Sequence, residues 1–400
     1  MTDIQKILAM RKSFETVKKR QKENITKIPD LQERLKRLRA VREECVGNSD
    51  IIKKSIENLE NNGFKVKFAE DSRKAIDIVL KEIGSTKIVV KSKSNITREV
   101  NLTKELEKRE INVVETDIGD RLIQLLGEEP SHPTGPASHL SLDYIVSSLN
   151  EKFEIELERD PLAIIEFLLK DIKRYIGIAE VGITGANAIT AEGSVILLHN
   201  EGNVFETILR PKKWIVLVGI DKFYPSVEDA LNAAKIQTFY ATGAIIPSFI
   251  EVVSGVSKTA DIEKKLYEGI HNPKEVTVIL VDNKRSYLMK NGFKELFYCI
   301  GCGNCVINCP SYKAFGSKFK GGRFALFSAL YGGESDLRLC LSCGRCKKNC
   351  PLGLDIPKMI RKAREGNELY NFVMSHVKWL VRSAYLETIA FYEMLKSWYV

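Results

Sequence analysis

From Phe64 onward, short β-branched runs alternate with stretches in which apolar residues recur every three to four positions. Phe64–Phe68, Lys87–Val90 and Ile111–Glu115 read as strands, with helices over Asp71–Ile83 and Asn95–Glu110 between them. A Pro/Gly/His-rich loop follows at Pro130–Ser138, then a helix from Pro161 to Ile176, then strands at Ala179–Ile183, Gly193–Leu198, Trp214–Ile220 and Val276–Val281. Such alternation implies parallel strands joined by crossover helices, so residues 61–291 are expected to form an α/β domain. Ahead of it, Leu31, Leu35, Leu38 and Val41 keep helical spacing among Lys and Arg, and residues 1–60 read as a helical region. At the far end, Val373, Val377, Leu380, Ala384, Phe391, Leu395 and Trp398 recur at near-helical spacing. Residues 367–400 therefore read as an amphipathic helical tail that packs on the rest of the protein, or else meets a partner groove or a membrane surface.

Composition narrows the class. A chain of 400 residues has room for two or three domains, and 44% hydrophobic with 28% charged content is that of a globular protein. No apolar run reaches membrane-spanning length; Ala241–Val256 is interrupted by Pro247 and Glu251. The net charge of +9 is concentrated towards the two ends of the chain. The basic N-terminal stretches lack interleaved aromatics or a nucleic-acid-binding motif, so a solvated helix face accounts for them.

The chemistry lies in the cysteines. Eight of the nine repeat one spacing, Cys299-x2-Cys302-x2-Cys305-x3-Cys309-Pro310 and Cys340-x2-Cys343-x2-Cys346-x3-Cys350-Pro351. Thiolates at i, i+3 and i+6 on a tight loop can close over one 4Fe-4S cube while backbone N–H groups turn to its sulfurs, and the fourth cysteine serves the other cube. Two 4Fe-4S clusters are thus expected in an α-helical, ferredoxin-type unit over residues 292–366. One is assigned to Cys299, Cys302, Cys305 and Cys350, the other to Cys340, Cys343, Cys346 and Cys309. Zinc is the alternative, although zinc sites usually use ligand pairs. The opening residues lack a secretory leader, so a reducing, cytoplasmic compartment is expected, with thiols kept free for iron. Cys45, alone on a helical pattern, reads as a small core residue.

Several segments resemble a known family. Val90-Lys91-Ser92-Lys93-Ser94, Glu115-Thr116-Asp117-Ile118-Gly119, Gly182-Ile183-Thr184-Gly185-Ala186-Asn187, Glu201-Gly202-Asn203 and Val281-Asp282-Asn283 are similar to the LUD domain of lactate-utilisation proteins. With the double cysteine run, the chain resembles the iron–sulfur subunit type of the bacterial L-lactate-oxidising system over residues 60–366. The resemblance implies a fold related to ribose-5-phosphate isomerase and CoA transferases, oxidation of lactate to pyruvate, and companion lactate-utilisation subunits that include a cysteine-rich protein. It also brings Thr184 and Asn187 forward as substrate-binding candidates. The chain departs from the pattern at Val204-Phe205, where the family has Gly-Arg, and at Lys284, where it has Gly.

Two segments suit a small carboxylate or a phosphate. Lys91, Ser92, Lys93 and Ser94 follow a strand, where ligands of open α/β sheets collect, although alternation along the edge sends some of them away from any one site. Ser254–Asp261 is rich in small polar residues; Ser257 lies in it, and Thr259 is expected to cap a helix beginning near Asp261. Glu192, Glu201, His271 and Asp117 are acid–base candidates, each with a structural role as the alternative. No dinucleotide, P-loop or His-Glu-x-x-His motif is present. The combined expectation is an electron-transfer subunit of a complex that oxidises a 2-hydroxy acid, not active alone. The alternatives are a ligand-binding redox sensor and an isolated isomerase- or transferase-like enzyme. Lys318, Lys320, Arg323, Arg345, Lys347 and Lys348 would suit docking of an acidic electron carrier, or would offset cluster charge.

Overall fold

Among the described residues of the computed structural model, 3–364 and 376–388, twelve strands form three sheets. They are β1 (Lys65–Ala69), β2 (Ile88–Lys91), β3 (Asn112–Glu115), β4 (Val181–Gly185), β5 (Ala188–Thr190), β6 (Val195–His199), β7 (Lys213–Gly219), β8 (Phe223–Tyr224), β9 (Phe249–Val253), β10 (Lys258–Thr259), β11 (Tyr267–Glu268) and β12 (Glu275–Val281). The main sheet runs β1-β12-β7-β4-β2-β3, and every pairing in it is parallel. Its central strands, Trp214–Gly219 and Val276–Val281, are buried throughout, as an apolar run covered on both faces must be. Helices Ser72–Ile83 and Pro161–Ile176 begin where sequence chemistry starts a helix. Asp71 accepts from the Lys74 N–H, and Asp160 accepts from the Ala163 N–H with Pro161 in the first turn. At Gly182 of β4 a Cβ would collide with the Thr207 carbonyl, so the strand lies directly against the helix Asn203–Leu209.

Two expectations change. The helix read over Asn95–Glu110 is two short helices, Asn95–Glu99 and Leu102–Glu107, broken where Asn101 turns to φ 57°. The strand read at Gly193–Leu198 forms as β6 but leaves the parallel series. A tight turn at Gly193 (φ 79°) folds β6 back antiparallel on β5, in a separate sheet β8-β5-β6-β9.

The N-terminal helices Asp3–Asn24 and Leu31–Cys45 do not stand apart. Met10, Phe14, Leu31, Leu38 and Cys45 share one core with Val306, Tyr312, Phe319, Leu326 and Ile360 of the cysteine-rich region. Cys45 is a core residue whose thiol burial pushes up to about 11. The Pro130–Ser138 loop also packs on the first cysteine run, since the Tyr312 hydroxyl donates to the Ser131 carbonyl and a Cβ at Gly303 would come within 2.7 Å of the His132 ring. In the helix over 376–388, Leu386 is buried and Arg382 donates to the Ala314 carbonyl, while Val377, Leu380, Val381 and Tyr385 are exposed. Val373, Phe391, Leu395 and Trp398 lie outside the described residues.

Arg42 closes the junction between the halves. Fully buried and stacked 4.7 Å over the Tyr224 ring, its guanidinium donates to the carbonyls of Asp221, Phe223, Phe297 and Tyr298. Arg42→Met leaves buried carbonyls without donors, a loss of roughly 3 kcal/mol. Thermal unfolding should show the transition lowered by about 4 °C.

Candidate functional site

The two cysteine runs fold as structural copies. Gly301 (φ 78°) and Ser342 (φ 51°), then Gly303 and Gly344 (both φ 74°), take the left-handed conformation at matching points, and the four-residue helices Asn304–Ile307 and Arg345–Lys348 follow. These turns aim amides at sulfur. The Gly301 N–H donates to Cys299 Sγ at 3.3 Å and the Ser342 N–H to Cys340 Sγ at 3.4 Å. Further amides reach Cys302 (Asn304), Cys305 (Arg323), Cys309 (Tyr312 and Gly322) and Cys350 (Leu352, Gly353 and Leu354).

The thiols fall into two neighbourhoods. Burial pushes the Cys302 thiol well up, and the cysteines beside it are Cys299, Cys350 and Cys305. Burial likewise raises Cys309 to about 12, with Cys340 and Cys343 beside it. Burial also raises Cys346, whose neighbours are Cys305, Cys309, Cys340 and Cys343. Cys309, Cys340, Cys343 and Cys346 line one small cavity, walled by Phe319, Pro357 and Ile360. At Gly322 a Cβ would come within 2.7 Å of Cys305 Sγ. Among the described residues no three His, Cys, Asp or Glu groups converge on a single ion, but a four-iron cube shares four thiolates over a larger body. Buried sulfurs facing backbone donors fit such a group, which would need each thiol deprotonated on assembly.

Beside this centre lies a cavity of about 530 Å³. Because the main sheet is parallel, the carboxyl ends of its strands gather on one side. Ser92, Lys93 and Ser94 follow β2, Asp117 follows β3, Gly185 ends β4 and Asp221 follows β7, and all line the cavity with Glu201 and Asn187. The cysteine-rich half contributes Cys299, Ile300, Gly301, Arg323, Phe327 and Tyr331 to the lining.

Its electrostatics are uneven. Lys93 Nζ lies 2.6 Å from Asp117 Oδ2; burial opposes its charge, but Asp117, Asp120 and Glu201 hold the ammonium above its ordinary value. Loss of solvation, then the Asp117 carboxylate, pushes the Glu201 carboxyl up to about 7, although Glu201 Oε2 accepts from the Ile118 N–H at 3.0 Å. Deeper in, Arg285 bonds Asp221 at 2.7 Å and Glu99 at 2.7 and 2.8 Å. Lys222 Nζ lies 3.0 Å from both Asp221 Oδ2 and the Cys299 carbonyl. Burial works against the Asp221 charge, but Lys222, Arg285 and Arg42 together hold its carboxyl far below the ordinary range.

The sequence candidates divide accordingly. Ser92, Lys93, Ser94, Asp117, Asn187 and Glu201 meet in the cavity. Lys91 does not line it, being buried with its ammonium 2.8 Å from Glu115. Thr184 is also a core residue, accepting from the Trp214 indole N–H at 2.9 Å. Glu192 accepts from the Val227 N–H at 2.6 Å at the start of helix Val227–Thr242. Ser257 and His271 bond each other's backbone or side chain at 2.8–2.9 Å away from the cavity. No helix begins near Asp261: Thr259 lies in the two-stranded β10–β11 ribbon and its hydroxyl bonds Asp261 in a turn. Of the basic docking candidates, Lys318, Lys320, Arg345, Lys347 and Lys348 are exposed, whereas Arg323 is buried in the cavity wall. Glu99, Asp221, Arg285 and Tyr331 were not among the sequence candidates. For Tyr331 a signal existed, since Arg323, Phe327 and Tyr331 recur at i, i+4 and i+8 between two Gly-Gly pairs.

The chain matches the family described as LUD domain over residues 52–281 and that described as 4Fe-4S dicluster domain over residues 295–354. It is 31% identical over 289 residues to a protein named Lactate utilization protein B of Bacillus cytotoxicus, covering 70% of this chain and 59% of that protein. It is 32% identical over 289 residues to the protein of that name from Geobacillus thermodenitrificans, with the same coverage. The chain thus spans about three fifths of the length of the curated relatives it matches. A DUF162 family protein of known structure from Deinococcus radiodurans aligns over 58% of this chain and 97% of its own, at 14% identity and a TM-score of 0.33. Among the described residues, no helix is long and apolar enough to cross a membrane.

Infrared difference titration should reveal a carboxyl group with a midpoint near pH 7, protonated below it and ionised above. Glu201→Gln abolishes this signal. Asp117→Asn removes the like charge but keeps a helix-capping side chain, so it should move the midpoint down. An unchanged midpoint would show that Asp117 does not act on Glu201.

Proposed function

The chain belongs to the LUD-domain family and carries a 4Fe-4S dicluster domain behind it, and from that premise we propose that it is the electron-transfer subunit of a complex oxidising a 2-hydroxy acid, L-lactate to pyruvate. One observation carries the reading: Cys299 and Gly301 of the first cysteine run form a wall of the same cavity as Lys93, Asp117 and Glu201. An acid held there would lie against a ligand of the first cluster. In this reading residues 61–291 form the acid-binding unit and residues 292–366 the cluster unit, with the helices of residues 1–60 packed into the core of the latter. The first cluster is held by Cys299, Cys302, Cys305 and Cys350, the second by Cys340, Cys343, Cys346 and Cys309.

When bound, the clusters supply acceptors for one electron at a time. Converting the CH–OH of a 2-hydroxy acid to C=O releases two electrons and two protons. Lys93, with Ser92, Ser94 and Asn187, orients the acid, and Glu201, ionised above about pH 7, is placed to take the hydroxyl proton. The hydrogen on carbon leaves with its electron pair, which calls for a two-electron acceptor. A companion subunit, such as the cysteine-rich protein implied by the family, supplies it. Cys343 is exposed, and Arg345, Lys347 and Lys348 near it are exposed cations, so a cluster held by Cys340, Cys343, Cys346 and Cys309 would face an acidic carrier.

Anaerobically purified protein should carry about eight iron and about eight acid-labile sulfide, four of each per cube. Cys350→Ser should remove the cluster otherwise built by Cys299, Cys302 and Cys305, and Cys343→Ser the other. Zinc without labile sulfide would sink the cluster assignment. With L-lactate, D-lactate or glycolate, the isolated oxidised chain should bleach slowly and the chain with its co-purifying partners rapidly. Rapid bleaching by the isolated chain would remove the need for a companion. No bleaching under any condition would favour a ligand-binding redox sensor.

A further inference from the structure

The helix Gly322–Leu330 carries its chemistry on one face. Arg323 and Phe327 are four residues apart on it, Tyr331 follows four residues later, and all three line the cavity. The Arg323 guanidinium lies 4.1 Å over the Phe327 ring, and Phe327 stacks on Tyr331 with centroids 4.2 Å apart and planes 16° from parallel. This stack fixes where both polar ends point.

Neither polar end has a partner. Arg323 is only 9% exposed, yet among the described residues its guanidinium makes no ion pair, and its Nε is buried without an acceptor. The Tyr331 hydroxyl is likewise buried and unbonded, and burial raises its pKa, so it is a neutral donor. Of the other cations lining the cavity, Arg285 is engaged by Glu99 and Asp221, Lys222 by Asp221, Lys93 by Asp117 and Arg98 by Asp120, while Lys320 is exposed and makes no ion pair among the described residues. A buried guanidinium without a carboxylate is costly, whereas two idle donors facing one cavity suit a forked anion.

We propose that Arg323 and Tyr331 bind the carboxylate of the organic acid that occupies the cavity. The cysteine-rich half would then hold the anionic end of the ligand next to Cys299, leaving the hydroxyl end for the Lys93–Glu201 wall. This rests on the reading of the cavity as the acid's site. It also accounts for the chain's use of Val204-Phe205 after Gly202-Asn203: Phe205 is 46% exposed and brings no cation to that loop, so the anion is met from the other side.

The test is calorimetric titration of anaerobic holoprotein with L-lactate, glycolate, pyruvate, succinate and inorganic phosphate, with propane-1,2-diol as the uncharged control. Iron content and the cluster spectrum are checked for every variant. Arg323→Gln should weaken binding of the carboxylates about 10- to 100-fold, the size of one charge-assisted hydrogen bond, and Tyr331→Phe about 3- to 10-fold. Arg323→Lys, which keeps the charge but loses the fork, should fall between; if Arg323→Gln loses its clusters, Arg323→Lys and Tyr331→Phe decide. Arg323-dependent binding of succinate or phosphate, without any 2-hydroxy acid, would keep the anion site and sink the 2-hydroxy-acid reading. Unchanged affinity in the variants, no anion binding by the unmodified protein, or a change confined to cluster potentials would overturn the proposal.

Discussion

A buried knot of charge at the end of β7 holds the two halves of this protein in register. Asp221 follows that central strand, and Arg285, Lys222 and Arg42 reach it from three directions. Arg285 comes from the segment after β12 and also grips Glu99, beyond β2; Lys222 reaches on to the Cys299 carbonyl; Arg42 reaches on to Phe297 and Tyr298. Buried ion pairs often add little net stability, because desolvation offsets their attraction, but leaving one partner alone is expensive. Any slippage of the cysteine-rich half against the sheet would strand one of these charges. The knot therefore fixes a position more than it adds stability.

That position creates the cavity. Parallel strands collect their carboxyl ends on one side by topology alone, which gives Lys93, Asp117 and Glu201 a common neighbourhood but leaves it open. The first cysteine run, pinned by Lys222 and Arg42, supplies the missing wall. The same placement sets the unpaired guanidinium of Arg323 in that wall, while the acids Asp117, Asp221 and Glu99 already hold cations of their own.

Much of this was legible in the chain because it depends on local pattern. The cysteine spacing, the buried runs Trp214–Gly219 and Val276–Val281, and the start of helix Pro161–Ile176 each follow from residues close in sequence. The errors lie where long-range contacts decide. Lys91 and Lys93 look equivalent, and alternation in a longer strand would keep them on one face, but β2 ends at Lys91, whose ammonium is buried on Glu115, whereas Lys93 lies in the loop beyond and reaches Asp117 and the cavity. Thr184 is brought forward by the resemblance as a substrate-binding residue and instead satisfies the Trp214 indole in the core. Arg323 sits in a basic stretch that reads as a docking surface, and only the packing of its helix against Cys305 shows that it points inward.

The two cysteine runs share a backbone and differ in surroundings, and on the proposed function this difference would give the electron path a direction. In the first run Cys302 is buried, His132 covers Gly303, and Cys299 faces the cavity. In the second, the matching Cys343 is exposed and the residue after Gly344 is Arg345 rather than Asn304. One copy is sealed against a ligand site and the other opened to solvent among cations. With the fourth cysteine of each run set beside the other run's thiols, the two environments cannot drift apart. A ligand at the Cys299 wall and a carrier at the Cys343 face would therefore meet opposite ends of one rigid body.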